Sequence, residues 1–514
     1  MLDLSLGKMA ARMLLRLCAR SVCRGFTGAR SLSTGESVPP SRLYDYVREG
    51  YCSRPELDME SLSRDIEAAE RELAERRPGR PQEGELRALV NVWEQLKALR
   101  QDICSLEEEK SLVANEVKEM TLSHDRKELQ SIPRYLTIRN RGKEIRQQLN
   151  ALYRQEDHLE ETFYIRALKL PNRTYPGTPI GDESKARVLE VIGEKPEFDF
   201  NVRGHLEIGE DLDIIRQRRL SHISGNRCYY LRGAGAMLQH ALVNFSITKL
   251  VKKGFIPLSV PDMLRGAVFE GCGMQPTAHS SQVYSLDPSA HPDLHLAGTS
   301  EVGVAGYFMD HAAQLTDLPI RTVCCSTCYR AETDTGRETW GLYRVHHFTK
   351  VEMFGVTANE TGRESQELLD EFMNLQKEIF SDLGLHFHVL EMPSEELGLP
   401  AYRKCDIEAW MPGRGKYGEI SSASNCTDFQ SRRLNIMYER PNGELRHAHT
   451  INGTACAVPR LIIAILESNQ LKDGRVRIPE VLQPFMGSDV IQKPPYAPQK
   501  YIGPNQKKKP NKML

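Results

Sequence analysis

The sequence has no run of eighteen or more apolar residues, so no segment is long and apolar enough to cross a bilayer as a helix. Cysteine is sparse. Twelve occur in 514 residues, scattered singly apart from Cys324, Cys325 and Cys328, unlike the dense framework of a small secreted domain and consistent with a reducing compartment. The familiar glycine cradles for nucleotides are missing too: there is no G-x-x-x-x-G-K-[ST] loop and no G-x-G-x-x-G opening a helix, so a nucleotide must be held another way. Excess charge of either sign is also lacking. With 68 basic and 69 acidic residues the net charge is -1, which excludes a polycation that coats nucleic acid or anionic lipid indiscriminately.

What is present is a chain of ordinary globular composition, 40% hydrophobic and 27% charged, long enough for two to four folding units. The first 35 residues carry Lys8, Arg12, Arg16, Arg20, Arg24 and Arg30 against one acid, Asp3, and end in a Ser/Thr-rich stretch. An amphipathic, arginine-rich, acid-poor leader reads as a mitochondrial transit peptide; a basic tail or RNA-binding arm is the alternative. Removing it leaves 62 basic and 68 acidic residues, a net of -6. A nucleic-acid partner then needs a local basic surface.

Between residues 85 and 168 only Pro133 and Gly142 interrupt a charged pattern with heptad spacing. Val92, Leu96, Leu99, Ile103, Leu106, Val113, Val117 and Met120 form one seam; Ile138, Ile145, Leu149, Leu152, Leu159 and Phe163 form a second, with Gly142 and Glu156 in its remaining places. The spacing predicts an antiparallel coiled-coil hairpin joined around residues 123–133 and projecting roughly 45 Å. By itself such an arm suits a dimerisation coil or spacer as well as macromolecular recognition. Arg126, Lys127, Arg134, Arg139 and Arg141 cluster near its turn, where they could meet a phosphate backbone. Pro171, Pro176, Gly177, Pro179 and Gly181 then mark a linker. The resulting division is a leader (1–35), an N-terminal helical arm (36–170), a linker (171–197), a catalytic body (198–485) and a mobile Pro/Lys-rich tail (486–514).

Three segments of the body carry polar groups that packing does not require. The first is Cys328-Tyr329-Arg330-Ala331-Glu332 with Arg344-Val345-His346-His347-Phe348-Thr349-Lys350-Val351-Glu352. The second is Gly418-Glu419-Ile420-Ser421-Ser422 with Asn425 and Phe429-Gln430-Ser431-Arg432-Arg433. The third is Asn452-Gly453-Thr454 leading into Pro459-Arg460 and an apolar helix. The first and third, with Gly254-Phe255-Ile256-Pro257 ahead of them, resemble motifs 2, 3 and 1 of the class II aminoacyl-tRNA synthetases. Within that class Thr299-Ser300-Glu301 and the Glu419 segment resemble the seryl-tRNA synthetase family, which also carries an N-terminal helical hairpin.

The resemblance implies an α+β fold: an antiparallel sheet flanked by helices, preceded by the coiled-coil arm. It implies ATP-dependent ligation of L-serine to tRNA(Ser), with tRNA(Sec) a further acceptor the family generally permits, in the mitochondrial matrix, by a homodimer that binds neither DNA nor membrane. Arg330 and Arg460 match the catalytic arginines; Ala331, Glu332, Val345, Phe348, Glu419, Ile420, Ser421 and Ser422 match ATP contacts, with Glu419 and Ser422 holding Mg²⁺ through ATP. Thr299, Ser300, Glu301, Glu352 and Thr454 match the serine pocket, Ser300 through its backbone, and Arg126, Lys127, Arg134, Arg139 and Arg141 the tRNA contacts. Ala455 and Pro459 replace two family glycines. Ala455 is expected to narrow the approach to the nucleotide, while Pro459 suits a first helical turn whose Leu461, Ile462, Ile465 and Leu466 form a buried stripe. Competing readings are a threonyl- or prolyl-tRNA synthetase and a catalytically silent RNA-binding paralogue. The pair Cys325 and Cys328 reads as strand cysteines in place of half a zinc site.

Overall fold

The computed structural model describes residues 41–76, 84–125, 128–218, 220, 223–276, 278, 281–332, 341–499 and 502–503. The leader, Arg126, Lys127 and the lysines at 507–509 and 512 lie outside the described residues.

Helices α1 (Arg42–Glu49) and α2 (Met59–Arg64) start at Ser41 and Asp58, whose side chains accept backbone N–H groups of the first turn. They are followed by α3 (Ile66–Arg76), α4 (Glu85–Ser123) and α5 (Pro133–Ala167), the last with proline in its first turn. The heptad residues do what their spacing predicts: Ile103, Ile145 and Leu149 are buried between α4 and α5, with Leu99, Leu106, Val113 and Leu152 around them. At 39 residues, α4 is about 58 Å long, more than the sequence suggested. Gly142 lets the helices close, since a Cβ there would stand 3.3 Å from Val113 Cγ1. Glu156 is tolerated in the seam because Arg100 approaches it at 3.2 Å, while Arg54 pairs with the neighbouring Glu160 at 3.0 Å. Short helices α1–α3, which the heptads do not foretell, close the root of the arm around Leu43, Met59, Ala69, Leu86, Leu89 and Phe163.

The body is built on β1 (Arg187–Ile192), β2 (Ile256–Leu258), β3 (Ile320–Tyr329), β4 (His347–Thr357), β5 (Phe387–Glu391), β6 (Arg403–Met411), β7 (Lys416–Thr427) and β8 (His449–Ala457). They form one sheet in the order β1-β5-β6-β7-β8-β4-β3-β2, antiparallel except for the β2–β3 pair. Alternation along each strand divides the residues between the two faces. Val351, Met353, Ile407, Ala423 and Ile451 face a core closed by α6 (Ala234–Lys252), α8 (Glu364–Asp382) and α10 (Val458–Ser468). Between α6 and α8 in sequence lies α7 (Ser300–Phe308), which packs Val302, Ala305 and Phe308 on the other side of the strands with Cys324 and Phe354; α9 (Phe429–Leu434) is a single short helix.

Four sequence expectations need revision. The stretch 171–197 is more than a linker, since it contains edge strand β1. The segment after residue 486 is partly structural: β10 (Val490–Ile491) pairs with β9 (Val476–Arg477), Ile491 is buried, and Lys493 meets Asp211 at 2.6 Å. Helix α10 is buried nearly all round, with Ile463, Ala464 and Glu467 covered as fully as the predicted stripe. Finally, Ala455 does not crowd the nucleotide approach. It is the unpaired residue of a bulge, since Val351 opposes Cys456 and Glu352 opposes Thr454, and it packs wholly inside the core.

Candidate active site

The polar face of the sheet floors a cavity of 430 Å³. Phe348, Lys350 and Glu352 reach it from alternate positions of β4, opposite in phase to core residues Val351 and Met353. Asn452 and Thr454 arrive from β8. On β7 the register skips Ile420, with Ser421 opposite Ile407 and Glu419 opposite Glu408; that bulge changes the alternation, so both Glu419 and Ser422 line the cavity. Arg330 and Glu332 follow the end of β3, and Arg460 stands in the first turn of α10. Thr299 caps α7, and Glu301 lies in its first turn.

Two groups of charge are held here. In the first, Lys350 Nζ donates to Thr299 Oγ1 at 2.9 Å and pairs with Glu352 Oε2 at 2.6 Å, while Thr454 Oγ1 donates to the same carboxylate at 3.2 Å. Glu301 Oε1 accepts from Gln430 Nε2 at 2.6 Å and Asn452 Nδ2 at 2.8 Å. Burial and the nearby Glu352 charge raise the Glu301 carboxyl to about 7, against the opposing pull of Lys350. In the second group, Arg460 Nη1 meets Glu419 Oε2 at 3.2 Å, and its guanidinium carbon lies 4.5 Å from the Tyr343 ring centre. Burial opposes ionisation of Glu419, but Arg460, Lys404 and Arg330 outweigh it and hold the carboxyl down at about 2. Beside it Lys404 pairs with Asp406 at 3.0 Å. Arg330 lies 5.1 Å from the Phe348 ring centre, and Glu332 is met by Arg227 at 3.4 Å and Arg344 at 3.7 Å.

Of the residues singled out in the sequence, Thr299, Glu301, Arg330, Glu332, Val345, Phe348, Glu352, Glu419, Ile420, Ser421, Ser422, Thr454 and Arg460 converge on this cavity. Ser300 and Ala331 do not line it. The Ser300 hydroxyl turns to Ser326 Oγ at 2.7 Å, and the Ala331 N–H donates to the Gln282 carbonyl at 2.8 Å. In the arm, Arg134 and Arg141 are paired across the hairpin with Glu116 and Glu109, leaving Arg139 exposed on α5. Sequence reasoning gave no role to Lys350, Lys404, Tyr343, Asn452 or the 396–401 loop, all of which line the cavity. The alternation Phe348, Lys350, Glu352 carried a signal for Lys350; nothing local marked the loop.

Residues 284–469 match the tRNA synthetase class II core domain (G, H, P, S and T). The chain is 61% identical over 500 residues to the mitochondrial serine–tRNA ligase of Mus musculus, spanning 97% of this chain and 96% of the relative. It is 59% identical over 505 residues to that of Bos taurus, covering 98% and 97% of the two chains. The chain belongs to the serine–tRNA ligases. A solved seryl-tRNA synthetase from Pyrococcus horikoshii complexed with ATP superposes on this ligase with a TM-score of 0.73 and 30% identity, covering 85% of this chain and 100% of that one. A cytoplasmic serine–tRNA ligase from Naegleria fowleri in complex with AMP gives a TM-score of 0.70 at 25% identity, covering 85% and 99%. The class II sheet and its flanking helices are thus shared by the ligase and its solved neighbours.

Proposed function

We propose that this ligase, a mitochondrial form, activates L-serine with ATP in the cavity and passes the seryl group to the 3′ end of tRNA(Ser). The observation that carries the reading is the convergence of Glu301, Glu352 and Thr454 with Arg330, Glu419 and Arg460 on one cavity of a size suited to a small adenylate. Glu301 is the counter-ion for the serine ammonium, and Glu352 with Thr454 receives the side-chain hydroxyl. A hydrogen-bonding pocket discriminates against analogues lacking that hydroxyl far better than size could. Phe348 supplies a face for adenine, Glu332 an acceptor for its amino group, and Val345 a backbone contact. Arg330 sits where the α-phosphate would develop charge, and Arg460 covers the nucleotide.

The serine carboxylate oxygen attacks the α-phosphorus in line, and the bond to pyrophosphate breaks. The terminal adenosine hydroxyl of the tRNA then attacks the seryl carbonyl and AMP leaves. No side-chain nucleophile is needed; positioning and fixed charge do the catalysis. The oxygen donors Glu419 and Ser422, with the buried Asp406 Oδ1 unpartnered among the described residues, form a donor set that suits Mg²⁺. Glu419 and Ser422 would hold the ion, which supplies charge neutralisation to the phosphates.

The arm from 36 to 170, bearing Arg139 with Arg126, Lys127, Arg134 and Arg141, docks the tRNA, and the body operates as a homodimer in the mitochondrial matrix. Ile256, within the motif 1 segment, and Met263, six residues after it, are exposed apolar side chains that the pairing of two copies would cover. The test is pyrophosphate exchange. Serine-dependent exchange into ATP should fall about 10²- to 10³-fold in Arg330→Ala, as expected for losing a fixed charge at the reacting phosphate; exchange with another amino acid but not serine would overturn the reading.

A further inference from the structure

The run Phe429-Gln430-Ser431-Arg432-Arg433 takes no part in the chemistry above, yet α9 touches both the serine pocket and the arm. Gln430 is fully buried, with both ends of its amide engaged: Nε2 donates to Glu301 Oε1 at 2.6 Å, and the amide oxygen accepts from Thr450 Oγ1 at 2.7 Å. Three residues on, the buried Arg433 donates to the carbonyls of Leu168 at 3.5 Å and Leu170 at 3.1 Å, just where α5 ends. It also donates to the Phe429 carbonyl at 3.0 Å, with its guanidinium carbon 3.5 Å from the Phe429 ring centre. Arg432 and Glu56, from the root of the arm, exchange two bonds: Arg432 Nη1 donates to the Glu56 carbonyl at 2.9 Å, and the Glu56 N–H donates to the Arg432 carbonyl at 3.2 Å. A second thread runs to the opposite wall. Arg76, at the end of α3, donates to the carbonyls of Gly398 and Ala401, both in the loop that lines the cavity.

One short helix therefore grips the end of the arm with one face and a pocket carboxylate with another. Its length leaves little slack, because only two residues separate the two contacts and both side chains are buried. A displacement of the α5 terminus must move Arg433 or break its bonds to the Leu168 and Leu170 carbonyls, and moving Arg433 rotates Gln430 against Glu301. Carbonyls deprived of a buried donor are costly, so the grip is stiff.

We propose that α9 is the link through which the arm sets the serine pocket, with Arg433 a positioning residue that orients Glu301 through Gln430. The coupling to tRNA rests on the reading of the arm as the tRNA docking element. Because Glu301 meets the serine ammonium and takes no part in nucleotide binding, the link acts on serine and spares ATP. By reciprocity, a tRNA that shifts serine affinity must have its own affinity shifted by serine to the same extent.

The test uses the full-length enzyme and a tRNA(Ser) lacking its terminal adenosine, which binds but cannot accept serine. Pyrophosphate exchange is followed with and without this tRNA, whose binding is measured separately by fluorescence anisotropy. Arg433→Met should raise the KM for serine about tenfold while leaving the KM for ATP within about twofold, and Arg433→Lys should recover part of the loss. The truncated tRNA should shift the serine KM of the parent enzyme and leave that of Arg433→Met unchanged. Arg432→Gln, at a less buried position on the same helix, should show the same serine-selective effect in smaller measure and serves if Arg433→Met does not fold. Equal changes in both KM values, or none, would overturn the positioning role. Binding of the truncated tRNA with no effect on the parent's serine KM would overturn the coupling. Failure of that tRNA to bind at all would instead overturn the docking reading, and the serine-selective KM would still decide the role of Arg433.

Discussion

Burial and the Glu352 charge place the Glu301 carboxyl at about 7, well above its ordinary value of 4.5. The proton is therefore held more tightly in the folded protein than in the unfolded chain. Stability falls as pH rises from about 4.5 to about 7, and above that the full cost of a buried charge is in place. Glu301→Gln keeps an acceptor for Gln430 and Asn452 while removing the charge, so it should raise the melting temperature at pH 8 and leave it unchanged at pH 4. The same carboxyl must be ionised to meet an ammonium. The serine KM of the parent enzyme should rise as pH drops below about 7, and Glu301→Gln should lose about 10²-fold or more in kcat/KM for serine, consistent with an unpaired charge. A melting temperature that moved equally at both pH values would remove the ionisation argument. The site residues legible in the sequence were those matching the family motifs: Phe348 and Glu352, which alternation along β4 puts on one face, with Arg330 and Glu332 beyond the end of β3. Lys404 and the 396–401 loop were not, because they reach the cavity through tertiary packing that no local pattern encodes.

Among the elements, the long helices were the most legible, because a heptad seam sustained over many turns has few other meanings. Edge strand β1 was hidden: five of its six residues are exposed, so its side chains show no burial-driven alternation, and the Pro/Gly-rich stretch before it suggested a linker. The bulges at Ile420 and Ala455 were equally silent, although each determines which side chains meet in the cavity. At the root of the arm, Glu156 and Glu160 are buried and share Arg54 and Arg100. Arg100→Met leaves those carboxylates with Arg54 alone and should destabilise the arm by about 2 kcal/mol, less than for a fully isolated buried pair. Hydrogen exchange should localise the loss to α4 and α5. Uniform loss across the body would show that the pair supports the whole chain.

At the scale of the molecule, a protein with no net excess of positive charge must catch RNA on local positive surface. Arg139→Glu should weaken tRNA binding several-fold at moderate salt and leave pyrophosphate exchange intact, with a shallower salt dependence to match the lost contact. Truncation separates two parts of the tail. Ending the chain after Gly487 removes Ile491 from the core and Lys493 from Asp211, and the melting temperature should fall by several degrees, as about 2 kcal/mol of lost apolar burial implies. Ending it after Gln499 should leave the melting temperature unchanged.

The order of strands in the main sheet also bears on how the protein comes into being. The hairpin of α4 and α5 is built from neighbours in sequence and can form while the chain is still short. The cavity cannot, because β4 lies beside β8, about a hundred residues away, and Arg460 follows only after β8. Such distant pairings form slowly, and a ligand stabilises only the species that binds it. Ligands of the cavity therefore cannot assist early folding; they protect the finished molecule, once Arg460 has docked against Glu419 and Tyr343.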